Sequence, residues 1–260
     1  MFLPLRAETP QLRFPFATLG LVAASVAVFL YELTLPQWAL VRFARAAGVV
    51  PWEISHFTDL VNATHPPDLV PPPLTILTSM FIHGDVLHLA GNLWFLWLFG
   101  SRLEGFVGPA RLLAGYFLAG TVAALLQVWA LPDNQMPMIG ASGAIAGVLG
   151  AYALVFPRQE VRCLVFVIFF VTFVSLPSSL LLGLWFVGQF ISAGGKSPGV
   201  AWFAHIGGFL VGMGLARLAI VPPLRLRFTR PRVYGAAHAE AGGRSVGAGP
   251  EWANAPLPTA

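Results

Sequence analysis

An all-α, polytopic membrane protein built as a bundle of six transmembrane helices is the fold class this sequence predicts, on three observations. Hydrophobic residues make up 57% of the 260 positions and charged residues only 10%, against roughly 25% charged in soluble domains. The apolar residues gather into six stretches, several near the ~20 residues a helix needs to cross ~30 Å of hydrocarbon. The arginines fall mostly on alternate connections between those stretches, as the positive-inside bias requires. So little polar surface could not cover a water-soluble fold, so lipid must do the covering.

The six stretches are Phe16 to Leu33, Val86 to Gly100, Leu112 to Leu131, Gly140 to Phe156, Leu176 to Ile191 and Val200 to Ile220. Helices are expected throughout, because a lone strand leaves its backbone groups unpaired in lipid. The second, fourth and fifth are short and must tilt, thin the bilayer or sit within the bundle. Leu164 to Ile191 is apolar almost throughout and too long for one upright span. Pro177, Ser178 and Ser179 offer a break, so Leu164 to Val174 reads as an interfacial or slanted lead-in. Two full spans in this region are the alternative.

With six spans and both ends inside, Arg6, Arg13, Arg102, Arg111, Arg158, Arg162, Arg217, Arg225, Arg227, Arg230 and Arg232 share the cytoplasmic side. Only Arg42, Arg45 and Lys196 fall outside. The expected organisation is a cytoplasmic N-terminus over 1–13, a six-span domain over 14–221 with an external loop at 36–85, and a disordered cytoplasmic tail over 222–260. That tail is rich in Arg, Gly, Ala and Pro with no periodic apolar face. The external loop is Pro-rich, holds Trp38 and Trp52, and is long enough to be functional or partly embedded. Its Asn62-Ala63-Thr64 sequon is of a kind frequent by chance. No cleavable signal peptide is expected, since Met1 to Arg13 is polar and interrupted by proline. A bacterial inner membrane is the expected location. The net charge of +4 records topology, and no nucleic-acid partner is expected.

Cys163, the single cysteine, excludes an internal disulfide and a cysteine metal cluster. It reads as a small buried hydrophobe. Polar groups within spans are functional candidates by default, because lipid makes them costly. The informative ones are His88, Asn92, Ser142 and His205. The second, fourth and sixth spans all run inward from the external face, and each carries its polar residues near its start. Three alternate spans therefore bring these four residues to one shallow layer. Ser142 lies in Gly140-Ala141-Ser142-Gly143, and Gly143 with Gly147 forms a small-residue stripe. Ala204, Gly208, Gly212 and Ala216 form another on the sixth span. Such faces let helix backbones approach closely in lipid, which would carry His205 towards Ser142 as base to nucleophile. His88 and Asn92, four apart, share a helical face and can donate to an oxyanion beside the Ser142 backbone N–H. No carboxylate lies at that depth: Asp85 is at the external rim and Glu104 at the opposite end of its span. A Ser-His dyad, not a triad, is expected.

The pieces His88-x-x-x-Asn92, Gly140-Ala141-Ser142-Gly143 and Ala204-His205-x-x-Gly208, with Gly212 beyond, resemble the rhomboid family of intramembrane serine proteases. The resemblance runs from about Thr75 to Ala216. It implies the family's six-helix core, Ser142 as nucleophile, His205 as general base, and His88 with Asn92 as oxyanion donors. Gly140, Gly143 and Gly208 would be supporting positions. It also implies cleavage of transmembrane segments of other proteins near their external end, with no metal, nucleotide or other cofactor. Two positions depart from the family pattern. An aromatic residue one turn after the serine is replaced by Ala146, and a Trp-Arg pair of the first loop is missing where Pro73-Leu74-Thr75-Ile76 stands.

Ser142 could be a packing residue in a Gly/Ala-rich helix, and Asn92 an interhelical clamp. A catalytically inactive rhomboid-like binding or quality-control factor is expected to lose the serine or the histidine, and both are present. A small-solute transporter would keep a carboxylate in mid-membrane. No His-Glu-x-x-His zinc motif and no pair of intramembrane aspartates occurs. His83 and His88, five apart, do not share a helical face as metal ligands must. Trp94 and Trp97 read as lipid-facing or packing residues.

Overall fold

The computed structural model describes residues 2–60, 67, 70–167, 170–193 and 200–220. These belong to one compact unit, Met1–Leu224, and the second unit, Arg225–Ala260, lies outside them. The expected disordered tail over 222–260, the Asn62 sequon and Lys196 likewise fall outside the described residues.

Each apolar stretch forms a helix. In chain order the helices are α1 Phe16–Glu32, α2 Gln37–Ala47, α3 Pro51–His56, α4 Pro72–Thr78 and α5 Val86–Phe95, then α6 Ser101–Val107, α7 Pro109–Ala130, α8 Ser142–Val155, α9 Ser178–Ala193 and α10 Trp202–Leu215. A 3₁₀ turn, Ser79–Phe81, extends α4. A π-helical segment, Leu96–Gly100, joins α5 to α6, and another, Ala216–Ile220, ends α10. By length and composition, α7 and the helix Trp202–Ala219 are long and apolar enough to cross a membrane. Pro72–Phe81 and Val86–Val107, bent by 83° at their break, make a third if taken as one span. Phe16–Glu32, Ser142–Val155 and Ser178–Ile191 are apolar but shorter. Leu30, Leu118, Leu125, Trp129, Leu184 and Leu210 are exposed on the flanks of these helices, a surface that suits hydrocarbon and not water.

The expectation of an all-α chain is corrected by a three-stranded antiparallel sheet, with strand order β1-β2-β3. β1 is Phe2–Ala7, β2 Glu160–Val167 and β3 Phe170–Pro177. The segment Leu164 to Val174, expected as an interfacial or slanted lead-in, instead belongs to the paired strands β2 and β3, in which Arg162 pairs Ser175 and Leu164 pairs Phe173. Residues 2–7, expected as part of a polar terminal segment, pair with β2 as its other neighbour. The physical reason lies in the local sequence. Val161, Cys163 and Val165 are buried while Arg162 between them is exposed, a two-residue period that helices do not use. The residues are also β-branched or aromatic at most positions, which fits a pleated, half-buried surface. These strands are not alone, so the backbone argument against lone strands does not apply. The Trp94 indole N–H donates to the Pro4 carbonyl at 2.7 Å, so Trp94 anchors β1 in addition to packing.

α1 is tied to α6 by a carboxylate. Pro15 precedes α1 and offers no side-chain cap. Glu104 fills that role from 87 residues away, accepting from the Ala17 N–H at 2.8 Å. It also accepts from the Thr18 N–H at 2.7 Å and the Thr18 hydroxyl at 2.7 Å. A negative charge at a helix N-terminus satisfies orphan donors and the dipole together.

The external loop expected over 36–85 holds α2, α3 and α4, and it is stapled to the connection between α7 and α8. Val49 and Met138 form an antiparallel bridge, with N···O distances of 3.0 and 2.7 Å. The Trp52 N–H donates to the Asn134 carbonyl at 3.0 Å, and Val49 and Val50 are fully buried. The Ser79 carbonyl accepts from the Gly140 N–H at 2.9 Å. The loop thus fixes the segment that leads into Ser142.

Candidate active site

α8 begins at Ser142. As the first helical residue it presents one of the N–H groups that a helix leaves without an intrahelical acceptor. Just before it, Gly140 has φ of +113°, in the region that disfavours residues with a Cβ. A Cβ on Gly140 would stand 2.7 Å from His88 Nε2 and 3.7 Å from Asn92 Nδ2. The glycine therefore turns the chain into α8 and leaves room for the α5 side chains. Asp85 caps α5 by accepting from the His88 backbone N–H at 2.9 Å, which sets the start of the helix that carries His88 and Asn92.

α8 and α10 touch backbone to backbone. A Cβ on Gly208 would overlap the Gly143 carbonyl oxygen, and one on Gly212 would overlap that of Gly147. Gly150 meets Phe209 in the same way. The stripes expected from Gly143, Gly147, Gly208 and Gly212 are the contact. In lipid, where no hydrophobic force separates helix from tail, such close packing holds helices together. α10 also begins under a side-chain cap, since Gln127 Oε1 accepts from the Ala204 N–H at 3.2 Å.

This packing sets His205 Nε2 2.8 Å from Ser142 Oγ, a full hydrogen bond. His205 Nδ1 lies 2.8 Å from Gln189 Oε1 on α9. The imidazole is flanked by the Trp185 ring, with centroids 6.0 Å apart, and by the Trp202 ring at 5.9 Å. Ala146, where the family pattern has an aromatic residue, is buried, and aromatic packing on His205 comes from α9 and from Trp202 at the start of α10 instead. Gln189, Trp185 and Trp202 are not found by reasoning from the sequence motifs. The signal was available for Gln189, an amide inside an otherwise apolar span.

A cavity of about 270 Å³ opens at the serine, lined by His88, Asn92, Ser142 and Trp185 among others. Asn92 is 8% exposed, and its Nδ2 has no hydrogen-bond partner among the described residues. A buried donor left unpaired costs about 1–3 kcal/mol, so a free amide beside a serine is an arrangement that awaits an acceptor. His88 meets the His83 ring edge-on, with centroids 5.2 Å apart. His83 is buried, and its backbone N–H faces the Glu32 carboxylate at 3.2 and 3.4 Å. Glu32, at the end of α1, is a buried carboxylate that the sequence reading passes over.

All four expected site residues are therefore drawn together: Ser142 with His205 by a hydrogen bond, and His88 and Asn92 with Ser142 around one cavity. Gly140, Gly143 and Gly208 occupy the close approaches just described. Chemically, the set holds a hydroxyl paired with an imidazole, a free amide donor, and a helix N-terminus, which is what acyl transfer through a serine requires.

A family profile described as the rhomboid domain matches residues 73–221, a range that includes every one of these site residues. Among curated proteins, the chain is 31% identical to Rhomboid protein 1, mitochondrial, of Saccharomyces cerevisiae, over 38% of this chain and 30% of that protein. It is 30% identical to RHOMBOID-like protein 6, mitochondrial, of Arabidopsis thaliana, over 57% of this chain and 44% of the relative. It is 31% identical to Rhomboid-like protein 11, chloroplastic, of the same plant, over 55% and 51%. The chain thus spans about half or less of the length of these relatives.

Proposed function

Because the chain belongs to the rhomboid family, and is an integral membrane protein, we propose that it is an intramembrane serine endopeptidase that cleaves transmembrane segments of other membrane proteins. The observation that carries this reading is the 2.8 Å hydrogen bond between Ser142 and His205 at the edge of a cavity holding a free amide donor.

The reaction runs as a two-step acyl transfer. His205 Nε2 takes the hydroxyl proton as Ser142 Oγ attacks the scissile carbonyl. The carbonyl oxygen becomes an oxyanion within reach of Asn92 Nδ2, His88 and the Ser142 N–H. Such donors act where charge develops, so they favour the transition state over the bound substrate. The leaving amine receives the proton from His205, and the same histidine then activates water against the acyl-enzyme. All the groups needed come from α5, α8 and α10, and the reading requires no cofactor.

Six helices crossing the bilayer, with both termini cytoplasmic, is the topology this function implies. α8 has 14 residues, so it is about 21 Å long against ~30 Å of hydrocarbon. A helix that short supports a serine set below the external surface, reached by water through the cavity. The arginine distribution supports a bacterial inner membrane as location, with the names of several relatives pointing to organelle membranes.

The test is cleavage of a model single-span substrate by the purified chain in proteoliposomes. Wild type should produce a cut near the external end of the substrate helix, and Ser142→Ala and His205→Ala should produce none. Substrate left intact by a wild-type protein shown to be folded would overturn the reading. It would move the inactive binding factor ahead.

A further inference from the structure

We infer that Gln189 is a positioning residue that fixes the proton on His205 Nδ1, acting as a neutral third member behind the Ser142–His205 pair. The inference rests on the proposed serine chemistry for its consequence, but not for its geometry.

The geometry is a chain of donors and acceptors with one consistent solution. Gln189 Nε2 lies 3.1 Å from the Trp185 carbonyl oxygen, one turn back on α9. A carbonyl can only accept, so the amide must turn its NH₂ to Trp185. Its Oε1 then faces His205 Nδ1 at 2.8 Å, and an amide oxygen can only accept as well. Nδ1 must therefore carry the proton. A neutral imidazole holds one proton, so Nε2 is left bare, 2.8 Å from Ser142 Oγ. That is the tautomer a general base needs. Gln189 is 7% exposed, so water does not compete freely for the Nδ1 proton.

The position answers a question that the sequence raises. Ala146 cannot stack on His205, and among the described residues no carboxylate is a hydrogen-bond partner of the imidazole. α9 instead supplies both the amide and the Trp185 ring, four residues apart and therefore on one face. An uncharged acceptor orients the ring without holding a second buried charge beside it, which in an apolar span would be costly.

The discriminating variants are Gln189→Met, which keeps the side chain's length without an acceptor, and Gln189→Glu, which keeps the acceptor. Histidine ¹⁵N NMR on the full chain in nanodiscs, assigned with His205→Ala, reads the tautomer directly. Wild type should show Nδ1 protonated and Nε2 bare, and Gln189→Met should shift His205 towards the Nε2–H form. In the cleavage assay Gln189→Met should lose roughly 10- to 100-fold in kcat with KM little changed, and Gln189→Glu should recover most of it. A wild-type His205 with its proton on Nε2 would refute the inference without any variant. So would a Gln189→Met protein that keeps the wild-type tautomer and kcat. Because the NMR signal does not depend on turnover, an inactive wild type would sink the proposed function and leave this inference standing.

Discussion

The Gly143 carbonyl oxygen of α8 lies so close to Gly208 of α10 that a methyl group on Gly208 would overlap it. Ser142, the residue before Gly143, and His205, about one turn before Gly208, are the two side chains that meet at 2.8 Å. The reach of the hydrogen bond is thus set by the absence of a side chain, since a pair of ordinary residues would hold the two helices apart.

Gly208→Ala should therefore push α10 away and separate the pair, although His205 and Ser142 are both retained. Overpacking of this kind costs typically about 1–3 kcal/mol, so the protein should still fold with a lower Tm. Activity should fall further than stability does, because a displacement of about 1 Å can cost on the order of 100-fold in rate. Gly212→Ala, which meets the Gly147 carbonyl one turn deeper, should lower Tm comparably with a smaller loss of activity. Tm and kcat measured on both variants check the difference.

Asn92→Ala removes a donor that has no hydrogen-bond partner among the described residues. Its loss should leave stability unchanged or slightly raised, while kcat drops on the order of 10²–10³. KM should move little, since the interaction forms only as the oxyanion does. His88→Ala should behave alike in rate. A fall in KM-dependent binding with kcat intact would assign these residues to substrate recognition instead.

Glu53, in α3 between α1 and α5, is 1% exposed. One carboxylate oxygen accepts from the Leu60 N–H at 3.0 Å, and the other has no hydrogen-bond partner among the described residues. Burial pushes its carboxyl above the ordinary value, the Leu60 hydrogen bond opposes that, and the neighbouring Asp59 charge adds to it. A carboxyl whose folded value is raised binds its proton more tightly in the folded state. Its contribution is therefore fully present below the ordinary carboxylate range and is lost as pH rises through the raised folded value. Glu53→Gln keeps the acceptor and discards the charge. It should raise Tm at neutral pH and have no effect at acid pH, as a pair of melting curves would show. A Tm gain as large at acid pH would contradict the assignment.

The Ser142–His205 pairing and the glycine stripes were legible in the sequence because few residue types can make such contacts. A serine and a histidine near the starts of two apolar spans, and small residues spaced four apart, each leave a mark that survives without coordinates. Gln189 left a weaker mark, because one amide in an apolar run says nothing about which of its neighbours it faces. The sheet was hidden for a different reason. A short run of Val, Phe and Leu over 161–176 is apolar whether it is a strand or a buried helix, and only the period of two around Arg162 separates them. Its pairing with residues 2–7, more than 150 positions away, had no local signature at all. Glu104 as the cap of α1 is equally non-local.

The most direct test of the account is labelling with a fluorophosphonate probe in native membranes, run on wild type, Ser142→Ala and His205→Ala alongside an active rhomboid. An activated Ser142 should label in the wild type and in neither variant. Absence of label on a folded wild type, with the active relative labelled beside it, would contradict the claim that His205 activates Ser142.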